Sequence, residues 1–451
     1  MKRNDPMFLP ETIAQIIHAL EKAGFAAYVV GGCVRDACLG RTPQDYDLCT
    51  SALPEQTQAV FRDKKLVLMG KKHGTIGVVT EDGVVEITTF RTEGSYRDNR
   101  HPDWVRFVPD VESDLARRDF TVNAMAYSPS RGYTDPFGGR EDLKKGILRA
   151  VGDPEQRFRE DSLRILRGVR FAVRYGLTVD VATERAMFSQ AHLMDNLARE
   201  RVFEELCKLL PLVSAGDLIR FAPILAAVIP ELAPMIGFDQ RSPHHAYDLY
   251  THTAHVVEGV PGDLALRWAA LLHDIGKVPT FTVDENGRGH FYDHAAKGAE
   301  MADAILRRLK APNVLRERVV LLIEKHMLWL QPEKKLLRRQ IGRLGLETVY
   351  QILSLQQADN SSKGTAKSGE NEQYIRILDV LEEIRSEDGC LSLKNLAVNG
   401  NDLVQIGFTG RTIGLMLNWL LDQVMEENLP NERSELLALA ERVWSDAWRS
   451  S

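Results

Sequence analysis

Ile13, Ile16, Ile17 and Leu20 recur at the helical period, so the spacing predicts a helix over 12–22 that stops at Gly24. Phe25 to Val30 is a short apolar run and predicts a buried strand leading into Gly31-Gly32. A helix over Arg35 to Leu39 and a strand over Tyr46 to Cys49 follow. Two β-branched runs, Thr75 to Thr80 and Val84 to Phe90, flank Glu81-Asp82-Gly83 and predict a hairpin. From Pro154 the period is helical and stays so, with Asp153-Pro154 marking the change. The pattern predicts an α+β chain: a small head with a mixed sheet over 1–150, then helical segments at 151–215, 216–385 and 386–451. Ser361 to Gly369 is small and polar and reads as a flexible loop.

Composition narrows the class. A chain of 451 residues is too long for one ordinary core and suggests two to four domains. Met1 to Pro10 lacks the apolar segment of a signal peptide, and no apolar run reaches membrane-spanning length. Cys33, Cys38, Cys49, Cys207 and Cys390 show no CxxC spacing, which argues for reduced thiols in a cytoplasmic protein. Net charge is −6, which does not advertise a nucleic-acid binder. The average hides six arginines between Arg157 and Arg174, and a second basic stretch through Lys334, Lys335, Arg338, Arg339 and Arg343. Such runs are most often solvated helix faces; here they permit contact with RNA. Nothing in the sequence sets the oligomeric state.

The densest chemistry lies in Gly31-Gly32-Cys33-Val34-Arg35-Asp36, followed by Asp45-Tyr46-Asp47. Along a strand, Asp45 and Asp47 would point to one face and share a hard cation of the Mg²⁺ type. Gly31 and Gly32 would leave backbone N–H groups open to phosphate, and Arg35 would add a forked donor. A lone DxD is usually a solvated loop; this order of residues reads as a nucleotidyl-transfer site. Two carboxylates supply few ligands, so a third is expected on a neighbouring strand, and Glu86 is the candidate.

This run resembles the signature of the class II template-independent nucleotidyltransferases, the CCA-adding tRNA nucleotidyltransferases and their bacterial poly(A) polymerase relatives. The resemblance extends through further blocks over most of the chain. It implies a polymerase-β-like head, a helical neck, an HD-type body and a helical tail. Substrates would be CTP, ATP and the 3′ end of tRNA, and the head cofactor Mg²⁺. Arg117-Arg118-Asp119-Phe120-Thr121-Val122-Asn123-Ala124 is similar to the family's RRDFTxNA block, which implies that Arg118 meets nucleotide phosphates and Asp119 the ribose. The polar stretch from Arg91 to Pro102 resembles the loop that complete CCA-adding members use in switching from C to A. Glu160-Asp161-Ser162-Leu163-Arg164 matches the EDxxR block. Asp161 and Arg164, at i and i+3, would share a helix face. Cytosine and adenine both present an amino donor beside a ring-nitrogen acceptor; guanine and uracil present the reverse. An acceptor-only Asp beside a donor-only Arg therefore selects C and A. Arg167 and Arg170 continue the ridge, and by resemblance help hold nucleotide. Arg199 to Leu206 resembles a block that braces the neck.

Leu272-His273-Asp274-Ile275-Gly276-Lys277 is an HD-domain signature. His252, His294, His326 and Asp359 fall in the order that superfamily uses, making six candidate ligands for a divalent transition metal. A metal-activated water there could hydrolyse phosphomonoesters or cyclic phosphates. Residues 396–439 resemble the tail of bacterial class II enzymes, which grips the tRNA elbow. Two alternatives stand beside CCA addition: a bacterial poly(A) polymerase, and an HD phosphohydrolase with a degenerate head. Lys72-His73-Gly74-Thr75 looks more like the CCA group, and the intact Asp45/Asp47 and Asp161/Arg164 pairs oppose a degenerate head.

Overall fold

The structure is a computed structural model, and it describes residues 7–68, 70–93, 105–242, 246–364, 368–387, 393–425 and 428–445. The chain divides into two compact units. Met1–Leu212 with Phe221–Pro230 forms the first, and Val213–Arg220 with Glu231–Ser451 the second. The expected segment boundaries at 150 and 385 lie inside these units.

The first unit is built on a seven-stranded mixed sheet. Its order is Leu66–Val67, Thr75–Thr80, Gly83–Thr89, Leu48–Thr50, Ala27–Val30, Ala126–Ser128, Gly132–Thr134. Only the Leu48–Thr50 and Gly83–Thr89 neighbours run parallel, with Leu48 opposite Ile87. The predicted hairpin forms, and Gly83 takes the positive φ its turn needs. The first helix spans Glu11–Lys22 and buries the four predicted residues. Gly24 follows it at φ 90°. The expected strand over 46–49 is shifted: it is Leu48–Thr50, so Asp45 and Asp47 precede it. The expected helix over 35–39 is Gly32–Cys38, starting directly after the glycine turn.

Val151 packs in the same core as Tyr28, Val30, Cys49, Phe90 and Leu115, which carries the chain past the sheet without a break. Ile147–Leu148 then pairs in parallel with Thr178–Val179. Helices Pro154–Glu160, Leu163–Tyr175 and Arg199–Leu209 follow. Phe120, from the head, meets Phe171 of the second of these edge-on, ring centroids 5.9 Å apart. Of the polar stretch 91–102, residues 94–102 lie outside the described residues. Arg91–Glu93 is a strand paired with Val105–Phe107, not loop.

The second unit is mainly helical. Leu249–Gly259 and Leu264–Leu272 start at Asp248 and Asp263, whose carboxylates cap the first backbone N–H groups. His294–Arg308, Asn313–Lys325 and Leu346–Ser361 pack around them, with Trp268 wholly buried. The next helix begins at Ser368; residues 365–367 of the expected loop lie outside the described residues. Two backbone features aim one histidine. Asp293 adopts φ 58°, unusual for a residue with a side chain, directly before His294. Gly276 packs so closely that a Cβ there would lie 2.2 Å from the His294 carbonyl oxygen and 2.6 Å from the Gly298 nitrogen.

Both contacts are backbone, so neither can rotate away. Gly276→Ala should therefore cost about 1–3 kcal/mol or more by overpacking. Thermal unfolding should show a Tm lowered by several degrees, and an unchanged Tm would refute the close approach.

Candidate functional site

The Ala27–Val30 strand ends at Gly31, which turns the chain at φ 78° into the Gly32–Cys38 helix. Its N–H donates to the Met125 carbonyl at 3.0 Å, so it is spent on the turn and not open to phosphate as expected. The missing side chain serves a neighbour: a Cβ on Gly31 would sit 2.7 Å from Arg118 Nη1. Gly32 opens the helix. Arg35 is turned inward. It donates to Asn123 Oδ1 at 2.6 Å and to Asp36 Oδ1 at 2.9 Å, and its guanidinium lies over the Tyr175 ring at 4.4 Å.

Asp45 and Asp47 lie exposed ahead of the Leu48–Thr50 strand. The Asp47 carbonyl accepts from Val30 N–H at 3.0 Å, which keeps Asp47 in register with the sheet. Extending the parallel pairing of Leu48 with Ile87 by one residue sets Asp47 beside Glu86. Glu86 is on the exposed face of its strand, between buried Val85 and Ile87. The three carboxylates do not close to within 4.8 Å of one another. The Asp47 carboxyl is raised from its ordinary value. Although the residue as a whole is exposed, shielding of its carboxylate from water is the main cause; the Arg118 charge opposes the shift and the Asp45 charge adds to it.

Asp119 is buried and fully engaged. Arg167 reaches one oxygen through Nε at 2.8 Å and Nη2 at 2.6 Å. Asn123 Nδ2 and the Phe120 N–H donate to the other at 3.0 and 2.8 Å. Burial would raise this carboxyl, but Arg167 and the Asn123 hydrogen bond outweigh it and hold it down at about 2. Arg118, above Gly31, pairs with Asp114 at 3.5 Å.

Asp161 and Arg164 do not share a helix face as the sequence spacing suggested. The Pro154–Glu160 helix ends at Asp161, whose φ is −145°, and the next begins at Leu163. Both side chains are nevertheless buried, and the Arg164 N–H donates to the Asp161 carbonyl at 3.1 Å. Asp161 accepts from Arg201 at 3.0 Å and from the Leu163 N–H at 3.1 Å. Arg164 donates to Glu160 at 2.9 Å and to the Arg157 and Arg117 carbonyls at 3.0 and 2.9 Å. Arg170 is paired with Glu205 at 2.6 Å. The Arg201 and Glu205 contacts are new: the block that contains them reads as bracing, and spacing alone does not show which acidic or basic group each one meets.

In the second unit all six HD candidates converge. His252 Nε2 meets Asp359 Oδ1 at 2.9 Å across a separation of 107 residues. His273 and His326 end the Leu264–Leu272 and Asn313–Lys325 helices, and His294 starts its own. All four imidazoles turn Nδ1 to a backbone carbonyl: His252 to Ser362 at 3.3 Å, His273 to Ala270 at 2.8 Å, His294 to Phe291 at 2.8 Å, His326 to Ile323 at 2.7 Å. A carbonyl only accepts, so each Nδ1 carries a proton and each Nε2 is turned inward, that of His252 toward the Asp359 carboxylate. That donor set fits a divalent transition metal. Burial works against a charged His273, yet Asp274 and Asp359 push it up to about 10. Burial, then the His273 charge, pushes His326 down to about 4.

Three family descriptions match the chain: Poly A polymerase head domain over residues 27–149, probable RNA and SrmB-binding site of polymerase A over 176–235, and tRNA nucleotidyltransferase domain 2 (putative) over 291–440. A CCA-adding enzyme of Bacillus velezensis is 30% identical over 435 residues, covering 96% of this chain and 97% of that protein. One of Levilactobacillus brevis is 33% identical over 433 residues, covering 95% and 96%. Among solved structures, the Bacillus stearothermophilus CCA-adding enzyme in complex with CTP aligns with 97% of this chain and 98% of its own. The TM-score is 0.72 and the identity 29%.

The Asp119 pairing has a measurable consequence. Its carboxyl falls from an ordinary 3.8 to about 2 on folding, so its stabilisation is present above the ordinary value and is lost as pH falls through the folded one. The shift corresponds to about 2 kcal/mol. Asp119→Asn should lower stability by at least about that amount at pH 7, with the deficit narrowing below about pH 4. Urea unfolding at several pH values checks this, and a deficit independent of pH would rule out the ion pair as its source.

Proposed function

Because this chain belongs to the CCA-adding enzyme family, we infer that it adds cytidine and adenosine nucleotides to the 3′ end of tRNA, taking CTP and ATP and releasing pyrophosphate. In this reading residues 1–150 are the transferring head, 151–215 the base-reading neck, 216–385 the HD body and 386–451 a tail that grips tRNA. The chain works in the cytoplasm, where tRNA ends and nucleoside triphosphates are found.

The observation that carries the reading is the buried pair Asp161 and Arg164 at the junction of two helices, with Arg167, which holds Asp119, one turn beyond Arg164 in the Leu163–Tyr175 helix. Asp161 accepts one bond on each oxygen from the described residues, and each oxygen has a second lone pair. Arg164 uses three of its five donors on described acceptors, so donors remain for a base. Arg201 fixes Asp161 in direction. An acceptor beside a donor satisfies C and A, and would leave buried groups mispaired against G or U. Arg118 lies above the Gly31 turn, where a triphosphate can approach the head, and Arg167 and Arg170 line the same helix.

Asp45, Asp47 and Glu86 are hard oxygen donors, and the Asp45 charge that raises Asp47 is one a cation would relieve. They would hold Mg²⁺, which supplies charge neutralisation for the triphosphate and acidity toward the attacking 3′ hydroxyl. The chain's own part is to present these carboxylates, position the triphosphate and exclude the wrong base.

One assay tests both halves. On tRNA lacking its CCA, Asp47→Ala should lose nucleotide addition while still binding tRNA. Asp161→Asn, which can donate as well as accept, should admit UTP and GTP. Each mispaired hydrogen bond is worth about 1–3 kcal/mol, roughly ten- to a hundredfold in relative kcat/KM. Equal loss with all four nucleotides would make Asp161 a bracing residue.

The HD cluster supports a second activity, hydrolysis of phosphomonoesters or cyclic phosphates such as damaged tRNA ends carry, with a divalent transition metal held by the inward Nε2 atoms and the carboxylates. His273→Ala with Asp274→Ala should abolish phosphatase activity measured with Mn²⁺, Ni²⁺, Co²⁺ or Zn²⁺ and leave CCA addition intact. No hydrolysis by the unmodified protein with any of these ions would make the cluster a scaffold.

A further inference from the structure

Arg118 is held unlike the other arginines of the first unit's site. Arg35, Arg164, Arg167 and Arg170 each donate a side-chain hydrogen bond to a described residue. The Arg118 side chain donates none to the described residues. Its Nε is buried without a partner, and its Nη2 stands 3.5 Å from Asp114 Oδ2 without forming a hydrogen bond. Its Nη1 lies 2.7 Å from where a Cβ on Gly31 would stand.

The group that faces Arg118 is Asp114. It is buried on the short helix Val111–Ala116, and its two oxygens are unequally used. Oδ1 accepts from the Arg91 backbone N–H at 3.2 Å and from Arg117 Nε and Nη2 at 3.1 and 3.0 Å. Three donors from two segments hold the carboxyl against rotation. Oδ2 accepts from none of the described residues, although the Arg118 charge lies beside it. A buried acceptor without a donor costs free energy, and a small turn of the Arg118 guanidinium would satisfy it. Arg117 has a further tie: its carbonyl accepts from Arg164 Nη2 at 2.9 Å.

Resting on the reading that Arg118 meets nucleotide phosphates, we propose that Asp114 is a positioning residue for the triphosphate of the incoming nucleotide, acting through Arg118. A guanidinium has more than one donor edge. Asp114 Oδ2 takes Nη2, which leaves Nη1, above the Gly31 turn, for a phosphate oxygen. The carboxylate keeps the long side chain from swinging into solvent, so much of the entropy of ordering it is lost on folding, before the ligand arrives. Arg118 stays close enough to Asp47 for its charge to bear on that carboxyl. The same carboxylate anchors Arg117, whose carbonyl helps place Arg164. The grip on the phosphates and the placement of a base-reading arginine therefore start from one buried side chain.

The test is equilibrium binding of CTP and of cytidine to the full-length protein, with Mg²⁺ and without tRNA, so that no nucleotide is transferred. Asp114→Asn keeps the size of the side chain and removes its charge. It should weaken CTP binding about tenfold, as the loss of a charge-assisted hydrogen bond does, and leave cytidine binding unchanged, because cytidine carries no phosphate. Arg118→Gln should weaken CTP binding at least as much, and Asp114→Asn added to it should bring no further loss. Normal CTP binding by Asp114→Asn beside weak binding by Arg118→Gln overturns the role of Asp114 and leaves Arg118 a phosphate ligand. Normal CTP binding by Arg118→Gln overturns the reading beneath it. Losses equal for CTP and cytidine, or additive in the double variant, make Asp114 a brace of the fold and overturn the proposal. A structure of the unmodified protein with CTP decides the same point without a variant. The gap from Asp114 Oδ2 to Arg118 Nη2 should close from 3.5 Å to about 2.8 Å, and an Arg118 parted from Asp114 in that complex overturns the proposal.

Discussion

A short chain of buried charge holds the first unit in its working shape. Arg35 donates to Asn123, Asn123 to Asp119, and Arg167 closes on the other oxygen of Asp119. The loop is completed by stacking, since Arg35 lies over Tyr175 at the far end of the helix that carries Arg167. Four elements are tied by it: the glycine-turn helix, the strand-side turn at Thr121–Asn123, the segment before it, and Leu163–Tyr175. A buried ion pair contributes little net stability against an apolar replacement, because desolvation offsets its attraction. Its strength is in direction. Loss of one partner strands the other, so the helix bearing Arg164 and Arg167 cannot drift from the sheet bearing Asp47 without a large penalty. The placement of Arg164 relative to the sheet that carries Asp47 is set by this network.

The second unit fixes its side chains by another route. Helix ends leave carbonyls without partners. His273 and His326 stand at such ends and accept the role of capping them, each giving Nδ1 to the carbonyl three residues back. His294 does the same to Phe291 ahead of its helix, helped by the left-handed Asp293. One hydrogen bond per ring selects the tautomer and the rotation together. Metal-ligating histidines are commonly oriented by such a partner on the second nitrogen.

The two units thereby present different donor chemistry in one chain. The head offers carboxylate oxygens only, open to solvent, which suits a cation that keeps most of its water and shares substrate phosphates. The helical unit offers imidazole nitrogens and carboxylates in a nearly closed cluster, which suits a first-row transition ion. The first helical segment, although its periodicity matches the second unit, packs with the head, because Val151 and Phe171 complete apolar surfaces that the sheet and Phe120 leave open.

Local order was written in the sequence. The apolar stripe Ile13, Ile16, Ile17, Leu20, the hairpin around Glu81-Asp82-Gly83 and the helical run after Pro154 depend on neighbours a few residues apart, and periodicity reports those. The residue types at Asp45, Asp47, Asp161, Arg164 and the HD positions also declared their chemistry, because ligand and donor capacity belongs to the side chain itself. What each group meets was decided by the fold. Spacing placed Asp161 and Arg164 on one helix face, but a break at Asp161 and the distant Arg201 set their geometry instead. Gly31 looked like an open phosphate turn, and its N–H is taken by Met125, nearly a hundred residues on. The meeting of the HD candidates is invisible along the chain, since it requires His252, His294, His326 and Asp359 to arrive from four separate helices. Periodicity encodes which face of an element is buried; only packing decides what lies against it.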